Sequence, residues 1–244
     1  MRPVRRDSSP QGMPFEPYSD AKVHLLTRLG RYCSYCERRI ETGLAVEHIQ
    51  PKALVAYKAI EGEWTNFLLG CVNCNSTKGK KDVVLSDVLL PDRDNTFLAF
   101  HYSLDGAMRV ADGLSIEVSA KAVMLLEITG LDRRVSTVID DNGKQIVVDR
   151  ASKRMEVYAI ALEAVADYEN DPDNLMLQKW IVISAIAEGQ FSIWMSAFAG
   201  KPIILKNLID AHRGTRESGC FDSLSQIPIT PHPNLDGLIS GSKI

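Results

Sequence analysis

The sequence contains no continuous apolar run long enough to span a bilayer, no internal repeat and no low-complexity segment. These absences exclude a membrane span, a repeat array and a disordered tail as the main organisation of the chain. The N-terminal segment MRPVRRDSSPQGMPFEPYSD has arginines but no apolar block behind them, unlike a secretory signal, so we expect a cytoplasmic protein. At 244 residues with 45% apolar content, the chain can form one large domain, or a small module and a second core.

Cysteine is scarce, at five residues, but four of the five form two close pairs. Cys33/Cys36 and Cys71/Cys74 have the Cys-x-x-Cys spacing that lets two thiolates bind one Zn²⁺. The second pair can complete a tetrahedral site and tie together the two ends of the segment between the pairs. Close pairs in a chain without a secretory signal favour metal over disulfides. We interpret the remaining cysteine, Cys220, as a structural thiol.

Net charge is only -3, but it is unevenly distributed along the chain. Residues 1–82 hold 13 Lys and Arg against 9 Asp and Glu, whereas residues 83–244 hold 15 against 22. The first part can face a polyanion, and the second would repel one. Cationic residues around the cysteines either give sequence-independent, salt-sensitive phosphate affinity or are ordinary solvating charges. These residues are Arg31, Arg38, Arg39, Lys52, Lys78, Lys80 and Lys81.

Local patterns predict an α+β fold class, a small zinc-stapled module followed by a mainly α-helical region with one β-hairpin. We expect a flexible arm over residues 1–19, the module over 20–91, the hairpin and helices over 92–227, and an irregular tail over 228–244. Within the module, the patterns predict a helix over 20–29, an extended segment at LAVEHI and a short helix that starts at the second cysteine pair, Cys71/Cys74. We call the turn around each cysteine pair a knuckle. Beyond it, they predict a hairpin that turns at Asp105-Gly106 and helices near 117–129, 149–170, 173–187 and 190–209.

The module also contains side chains suited to phosphodiester hydrolysis. His48 is the only imidazole between the cysteine pairs, and its ordinary pKa near ~6.5 leaves a neutral fraction that can act as a general base. Glu47 and Asn75 offer oxygen ligands that suit Mg²⁺ or Mn²⁺ better than thiolate-bound Zn²⁺. On a regular strand, Glu47 and His48 would point to opposite faces, so both can reach one phosphate only if the strand is bulged or bent.

The motifs CSYC, VEHIQPK and WTNFLLGCVNCNSTKGK, over about residues 31–81, resemble the HNH, or ββα-metal, endonucleases that carry a zinc-knuckle frame. The resemblance implies structural zinc on the four paired cysteines, Glu47 as a ligand of a catalytic metal and His48 as the general base. It also implies that Asn66 braces the loop and orients the histidine, that Asn75 is the last ligand and that Lys78 contacts a phosphate. Many relatives have Asp in place of Glu47 and His in place of Asn75, departures that bear on metal preference and rate more than on activity.

By this resemblance, we expect an HNH endonuclease that hydrolyses DNA, or RNA, with structural Zn²⁺ and catalytic Mg²⁺ or Mn²⁺. The order of the motifs, with a hairpin and helices after them, is also similar to the HNH subunits of Septu-type and retron-linked phage-defence systems. Those nucleases act with an ABC-type ATPase, and residues 92–227 would then be a docking and regulatory platform rather than a plain support for the module. The expected nucleic-acid contacts are Lys52, Lys78, Lys80, Lys81, Arg38 and Arg39.

Three alternatives stay open at the level of sequence. The chain can be a non-catalytic zinc-ribbon adaptor for nucleic acid or protein, or a decayed nuclease. A nucleophilic Cys220 can be assisted by His212 or His232. A second metal centre would need ligands from four acidic residues and one histidine. Their spacing in the sequence matches no metal-binding motif, so we interpret them as turn and surface residues. They are Asp92, Asp94, His101, Asp140 and Asp141.

Overall fold

A computed structural model describes residues 1–139 and 145–244 of the chain, and within these residues it contains eight α-helices and three two-stranded antiparallel sheets. The strands are β1 (Ala45–His48), β2 (Phe67–Gly70), β3 (Phe100–Tyr102), β4 (Met108–Val110), β5 (Val135–Ile139) and β6 (Gln145–Asp149). The helices are α1 (Ala21–Leu29), α2 (Val72–Lys78), α3 (Thr96–Ala99), α4 (Ile116–Thr129), α5 (Arg150–Asn170), α6 (Leu175–Glu188), α7 (Phe191–Ala197) and α8 (Pro202–Ala211). The α+β class is therefore confirmed.

The sheet of β1 and β2 forms the module together with helices α1 and α2. Strand β1 pairs with β2 in a regular register, from Ala45 opposite Gly70 to His48 opposite Phe67. Helix α1 packs on this sheet through apolar residues at a spacing of four, which share one face of a helix. Helix α2 follows β2 after a single residue and ends at Gly79, whose φ of +52° suits glycine better than any other residue. The buried residues of α1 are Ala21, Leu25 and Leu29.

The helices after the module largely follow the predicted spans, with one break. Residues 190–209 were expected to form one helix, but the chain forms α7 and α8 with a turn between them. The prediction is wrong because Gly200 has a φ of +79° and Pro202 has no backbone N–H to continue the helical ladder. Gly130 ends α4 in the left-handed conformation, with its N–H donated to the carbonyl of Leu126, as its position in the sequence predicted.

Two hairpins follow the module, although only one was predicted. The expected hairpin is β3–β4, with Gly106 at a φ of +75° in its turn. The second hairpin pairs β5 with β6, from Val135 opposite Asp149 to Ile139 opposite Gln145. This second hairpin was not predicted from the sequence, and residues 140–144 between its strands lie outside the described residues. Asp140 and Asp141, which were considered for a second metal centre, lie outside the described residues.

Residues 1–6 of the N-terminal segment are packed into the protein instead of forming a flexible arm, whereas residues 7–14 are exposed. Arg6 is buried, with Nη1 at 2.6 Å from Oδ2 of Asp92 and 2.7 Å from the carbonyl oxygen of Phe67. The N–H of Val4 donates to the carbonyl of Pro91 over 2.7 Å. The prediction is wrong for these residues because their partners are distant in sequence, and a polar, Pro-containing segment gives no local sign of such contacts.

The C-terminal segment lacks helices and strands, as predicted, but it also packs against the region around Asp94. Lys243 places Nζ at 3.0 Å from Oδ2 of Asp94, and its N–H donates to Oδ1 of the same carboxylate. Arg93 donates from Nη1 to the carbonyl of Ile239. Asp92 and Asp94 lie at a turn, as interpreted, but they are buried ion-pair residues, so their interpretation as surface residues is wrong. One hydrophobic core includes residues from both ends of the chain, so residue 92 does not separate two cores.

The first cysteine knuckle is bound to the helical region by one buried carboxylate. Glu37, directly after Cys36, accepts hydrogen bonds from the N–H and the hydroxyl of Ser192, at 2.7 and 2.9 Å. The hydroxyl of Tyr102 donates to the same carboxylate over 2.8 Å. A main-chain hydrogen bond adds to these contacts, since the N–H of Gln190 donates to the carbonyl of Glu37. The helical region thus supports the knuckle directly. Over the described residues, none of the helices combines the length and the apolar character that a membrane span requires.

Candidate metal centre and catalytic cavity

The four paired cysteines converge on one buried point. Their sulfur atoms all lie within 4.8 Å of one another, and none forms a disulfide. Sγ of Cys36 and Sγ of Cys71 are 3.8 Å apart. Tetrahedral Zn²⁺ with bonds of about 2.3 Å to sulfur requires an edge of about 3.8 Å between sulfurs, so the observed separation fits zinc. The predicted structural zinc site, made of Cys33, Cys36, Cys71 and Cys74, is therefore present as a cluster of four thiols.

The electrostatic environment of this cluster also suits a cation. Hydrogen bonds from neighbouring cysteines lower the pKa of Cys36 and Cys71, so these two sulfurs favour the thiolate form. Burial raises the pKa of Cys33 in the absence of a positive charge. Arg38 lies 3.8 Å from Sγ of Cys71, and although burial opposes its charge, the nearby sulfurs raise its pKa. A zinc ion bound to all four sulfurs would stabilise them as thiolates.

A second site lies along the outer edge of β1, as a cavity of about 250 Å³. Because β1 is the edge of a two-stranded sheet, consecutive residues 45–48 all line this cavity, including Glu47 and His48. The register of β1 with β2 pairs each residue in turn, so β1 has no bulge, and Glu47 and His48 both border the cavity from a regular strand. The other walls are Tyr18, Pro51, Lys52, Ala53, Asn75, Lys78 and Gly79.

The imidazole of His48 is held in one orientation and one tautomer. Nε2 lies 2.9 Å from the carbonyl oxygen of Glu61, and because a carbonyl only accepts, Nε2 carries the proton and Nδ1 is left unprotonated. The ring packs edge-on between Tyr18 and Phe67, at centroid distances of 4.7 and 5.2 Å. Burial lowers the pKa of His48, and Lys52 acts in the same direction. The ring is therefore neutral at pH 7, as a general base must be.

The carboxylate of Glu47 is buried and already has one cationic partner. Its Oε1 lies 2.9 Å from Nζ of Lys78 and 3.5 Å from the hydroxyl of Tyr35. Burial raises the pKa of Glu47, and the pairing with Lys78 offsets this only in part. Space for the side chain comes from Gly70 on β2, where a Cβ atom would lie 3.0 Å from Cβ and 3.4 Å from Oε2 of Glu47. The two oxygens are thus differentiated, since Oε1 takes the hydrogen-bond donors and Oε2 does not.

The two asparagines occupy different places. Asn66 is buried outside the cavity, with Oδ1 at 2.8 Å from the N–H of Gln50 and Nδ2 donating to the carbonyl of Gln50. It fixes the chain two residues after His48. Asn75 is half-buried on α2 and lines the cavity, and its carboxamide makes no hydrogen bond within residues 1–139 and 145–244. A carboxylate oxygen and a free amide oxygen are hard donors, which fit Mg²⁺ or Mn²⁺ at this place better than Zn²⁺.

Residues 33–81, which hold both the cysteine cluster and this cavity, match the family model of the HNH endonucleases. The chain therefore contains an HNH endonuclease domain. The match spans about a fifth of the 244 residues and does not extend to the hairpins and helices after residue 81. No curated protein matched the chain.

The cationic residues predicted to bind nucleic acid have diverse positions in and around the HNH domain. Lys52 borders the cavity, with Nζ 3.1 Å from Oε1 of Glu61 and 4.1 Å from the ring centroid of Tyr18. Lys80 is exposed just past α2. Lys81 donates to the carbonyls of Glu127 and Ile128 at the end of α4. Lys52 and Lys80 are therefore predicted contacts whose side chains remain at least partly open to solvent.

The remaining cations of the prediction contact the protein itself. Lys78 is buried, and its ammonium binds Glu47 and the carbonyl of His48 instead of pointing to solvent. Arg38 lies against the thiol of Cys71. Arg39 forms an ion pair with Glu41 at 2.6 Å and donates to the carbonyl of Ile186. These residues are part of the frame of the HNH domain in the free protein.

Sequence reasoning missed three residues that shape the cavity. Tyr18 covers the imidazole of His48, although it was assigned to the N-terminal arm. Glu61 sets the tautomer of His48 through its main-chain carbonyl, which no side-chain pattern could reveal. Gly70 gives space to Glu47 across the strand pair. Pairing of the VEHI strand with the FLLG strand, across residues 50–66, could have pointed to Gly70.

The alternative with a nucleophilic cysteine finds no basis in the structure. Cys220 is buried, and burial raises its pKa to about 12, so its thiol stays protonated at neutral pH. Its Sγ lies 4.0 Å from the carbonyl of Ser218, and no contact of this sulfur with His212 or His232 is found among the described residues. We retain the interpretation of Cys220 as a structural thiol.

Proposed function

We propose that this protein is a divalent-metal-dependent endonuclease that hydrolyses phosphodiester bonds in DNA. The observation that carries the proposal is that Glu47, His48 and Asn75 line one cavity within the HNH domain. An imidazole with a free nitrogen can activate water, and a carboxylate with a carboxamide can hold a divalent ion beside the same phosphate. The cysteine cluster fits structural zinc, which would staple the domain without taking part in the chemistry.

The contacts of the side chains support the following roles. Nδ1 of His48 takes a proton from the attacking water. The hydrogen bond from Nε2–H to the carbonyl of Glu61 keeps Nδ1 unprotonated before this step and stabilises the imidazolium that forms. Asn66 positions His48 through the chain around Gln50. A divalent ion held by Glu47 and Asn75 would supply positive charge for the scissile phosphate and the departing 3′ oxygen. Lys52 borders the cavity where it can hold a flanking phosphate.

Metal removal and return test this proposal directly. Purified zinc-loaded protein should nick supercoiled plasmid DNA in Mg²⁺ or Mn²⁺, lose this activity in EDTA and regain it when Mg²⁺ or Mn²⁺ is added back. Glu47→Gln and Asn75→Ala should each raise the concentration of Mn²⁺ needed for half-maximal nicking, because the first removes the negative charge of a ligand and the second removes an oxygen ligand. The proposal fails if nicking survives EDTA, or if neither substitution changes the metal requirement. Parallel assays on RNA decide between DNA and RNA as substrate.

We also propose that the nuclease is the effector of an anti-phage defence complex with an ABC-type ATPase, which docks on the helical region. The order of the motifs suggested this role, and α6 offers a surface for it. Met176, Trp180 and Ile183 lie at i, i+4 and i+7 on α6, so they share one face, and they are 60%, 57% and 38% exposed. An exposed apolar stripe of this kind is typical of a protein-binding surface.

Co-purification with an ATPase encoded beside this protein tests the partner. Trp180→Glu should abolish co-purification, whereas Ile116→Glu, at a still more exposed apolar position on α4, should leave it unchanged. Both variants should nick plasmid as the unaltered protein does, because neither residue lies in the cavity. Binding of the ATPase by Trp180→Glu at full strength would remove the docking role of α6.

A further inference from the structure

A buried ammonium group occupies the place beside Glu47 where a positive charge is needed. Nζ of Lys78 lies 2.9 Å from Oε1 of Glu47 and 2.7 Å from the carbonyl oxygen of His48, which accepts its hydrogen bond. Lys78 is 3% exposed and Glu47 is 1% exposed, so this ion pair is shielded from water. A paired buried charge is far less costly than an isolated one, so the free protein can keep Glu47 ionised without a metal ion.

The cavity as a whole carries no net negative charge to attract a divalent cation. Its charged lining residues are one carboxylate, on Glu47, and two ammonium groups, on Lys52 and Lys78. Lys52 pairs with Glu61, but Glu61 also pairs with Lys58, so including these neighbours leaves the same excess of one positive charge. Affinity for a divalent ion depends strongly on the number of charged ligands. The cavity alone is therefore a weak site for Mg²⁺ or Mn²⁺.

A nucleic-acid phosphate would reverse this balance. Each phosphate that enters the cavity brings one negative charge and oxygen atoms that Mg²⁺ and Mn²⁺ prefer as ligands. The excess positive charge of Lys52 and Lys78 attracts that phosphate, and the phosphate in turn attracts the metal. We propose that Lys78 replaces the divalent ion as the counter-charge of Glu47 in the free protein, so that metal and nucleic acid bind cooperatively. This inference rests on the proposed nuclease function and specifies how the catalytic cavity binds its metal ion and its nucleic acid.

Thermodynamic linkage makes the inference measurable without cleavage. If DNA strengthens Mn²⁺ binding by a given factor, Mn²⁺ strengthens DNA binding by the same factor. Coupling between two sites in proteins is commonly about 5-fold to 150-fold, and the loss of one excess charge in a shielded cavity belongs in this range. The measurement uses full-length, zinc-loaded His48→Ala protein, in which the DNA stays intact. Free Mn²⁺ is followed by electron paramagnetic resonance with and without a short DNA duplex.

In this background, DNA should tighten Mn²⁺ binding by about tenfold or more. Lys78→Met should tighten Mn²⁺ binding in the absence of DNA and reduce the further gain that DNA gives, because the competing ammonium is gone. Lys80→Met is the matched control, since it removes the same charge two residues later from an exposed position and should leave Mn²⁺ binding without DNA unchanged. Lys78→Arg keeps the positive charge and should retain the weak binding of the parent.

Two results would overturn the inference. One is equal Mn²⁺ affinity with and without DNA, which needs no substitution at Lys78 and so holds even if Lys78→Met does not fold. The other is a folded, zinc-loaded Lys78→Met protein that binds Mn²⁺ no more tightly than the parent. Failure of the proposed function has a different signature, since Glu47→Gln would then leave Mn²⁺ binding intact. Zinc content and a thermal melt of each variant establish that the proteins compared are folded.

Discussion

Asn66 binds both polar groups of Gln50, accepting its N–H at Oδ1 over 2.8 Å and donating from Nδ2 to its carbonyl over 3.0 Å. The side chain thus replaces a strand partner just beyond the end of β1, where the chain leaves the sheet after His48. We predict that Asn66→Ala lowers the free energy of unfolding by about 1–3 kcal/mol, because two buried main-chain groups lose their partner. Urea denaturation measures this loss. Asn66→Asp keeps the acceptor but not the donor and should cost less than Asn66→Ala, and equal stability of all three proteins would contradict the bracing role.

His48→Ala should reduce plasmid nicking by about 10²- to 10⁴-fold, the usual contribution of a general base. The imidazole contacts Tyr18, Phe67 and Glu61, and none of these holds the zinc ligands, so zinc content should be unchanged. Cleavage is measured by nicking of supercoiled plasmid and zinc by atomic emission. His101→Ala is the control, because this histidine is exposed on β3. A zinc-ribbon adaptor would show no nicking in the unaltered protein and would keep its binding activity in His48→Ala.

The rate of cleavage should rise with pH and level off below neutrality. Cleavage requires neutral His48, whose pKa is lowered by burial from its ordinary value of 6.5, so activity is lost only as pH falls through this lower value. Lys52 lowers the same pKa by repelling the imidazolium, so Lys52→Met should move the acid limb of the profile to higher pH. The profile of the nicking rate between pH 5 and 8 measures both effects. An acid limb above pH 6.5 in the unaltered protein would contradict the lowered pKa.

Gly70→Ala should impair catalysis while the domain stays folded. The new Cβ would lie 3.0 Å from Cβ of Glu47, which is too close, so the carboxylate would shift by a few tenths of an ångström. Because displacements near 1 Å can cost about 100-fold in rate, we expect roughly a tenfold loss of nicking. Gly12→Ala is the matched control, since its Cβ meets no atom within 4 Å. Unchanged nicking in folded Gly70→Ala would show that the position of Glu47 is not critical.

Loss of zinc should disrupt more than the two knuckles. Cys36→Ser or Cys71→Ser removes one of four ligands, and such sites couple metal binding to folding. Because Glu37 next to Cys36 binds Ser192, we expect α7 to lose order as well, which hydrogen exchange of its amides can follow. Cys220→Ser should keep one zinc per chain. Normal protection of α7 in zinc-free protein would contradict the coupling between the knuckle and the helical region.

Local patterns predicted the parts of the fold that depend on neighbours in sequence. The Cys-x-x-Cys pairs, the extended segment at Glu47-His48 and the short α2 with Gly79 at its end are such features, as are the turn at Gly106 and the cap at Gly130. The convergence of the four cysteines also followed from spacing alone, because zinc requires it. These features need only short-range geometry and the chemistry of single residue types.

Features that depend on distant contacts could not be predicted in this way. Burial of Arg6 needs Asp92, and the packing of the C-terminal segment needs Asp94, at separations that no periodicity reveals. By the resemblance to the HNH endonucleases, Lys78 was expected to contact a phosphate. It is instead buried because Glu47 and the carbonyl of His48 bind it. The tautomer of His48 depends on a main-chain carbonyl, which sequence does not specify.

Glu37 connects the HNH domain to the rest of the protein, a link that the sequence motifs do not suggest. The carboxylate next to Cys36 takes its donors from β3, from the start of α7 and from the first two residues of the chain, all of which lie outside residues 33–81. Separating the HNH segment from them would leave an unpaired anion in an apolar interior, so residues 33–81 do not form a self-sufficient unit. A transplant of this segment into another protein would have to include counterparts of Met1, Arg2, Tyr102 and Ser192, or replace Glu37 by a neutral side chain.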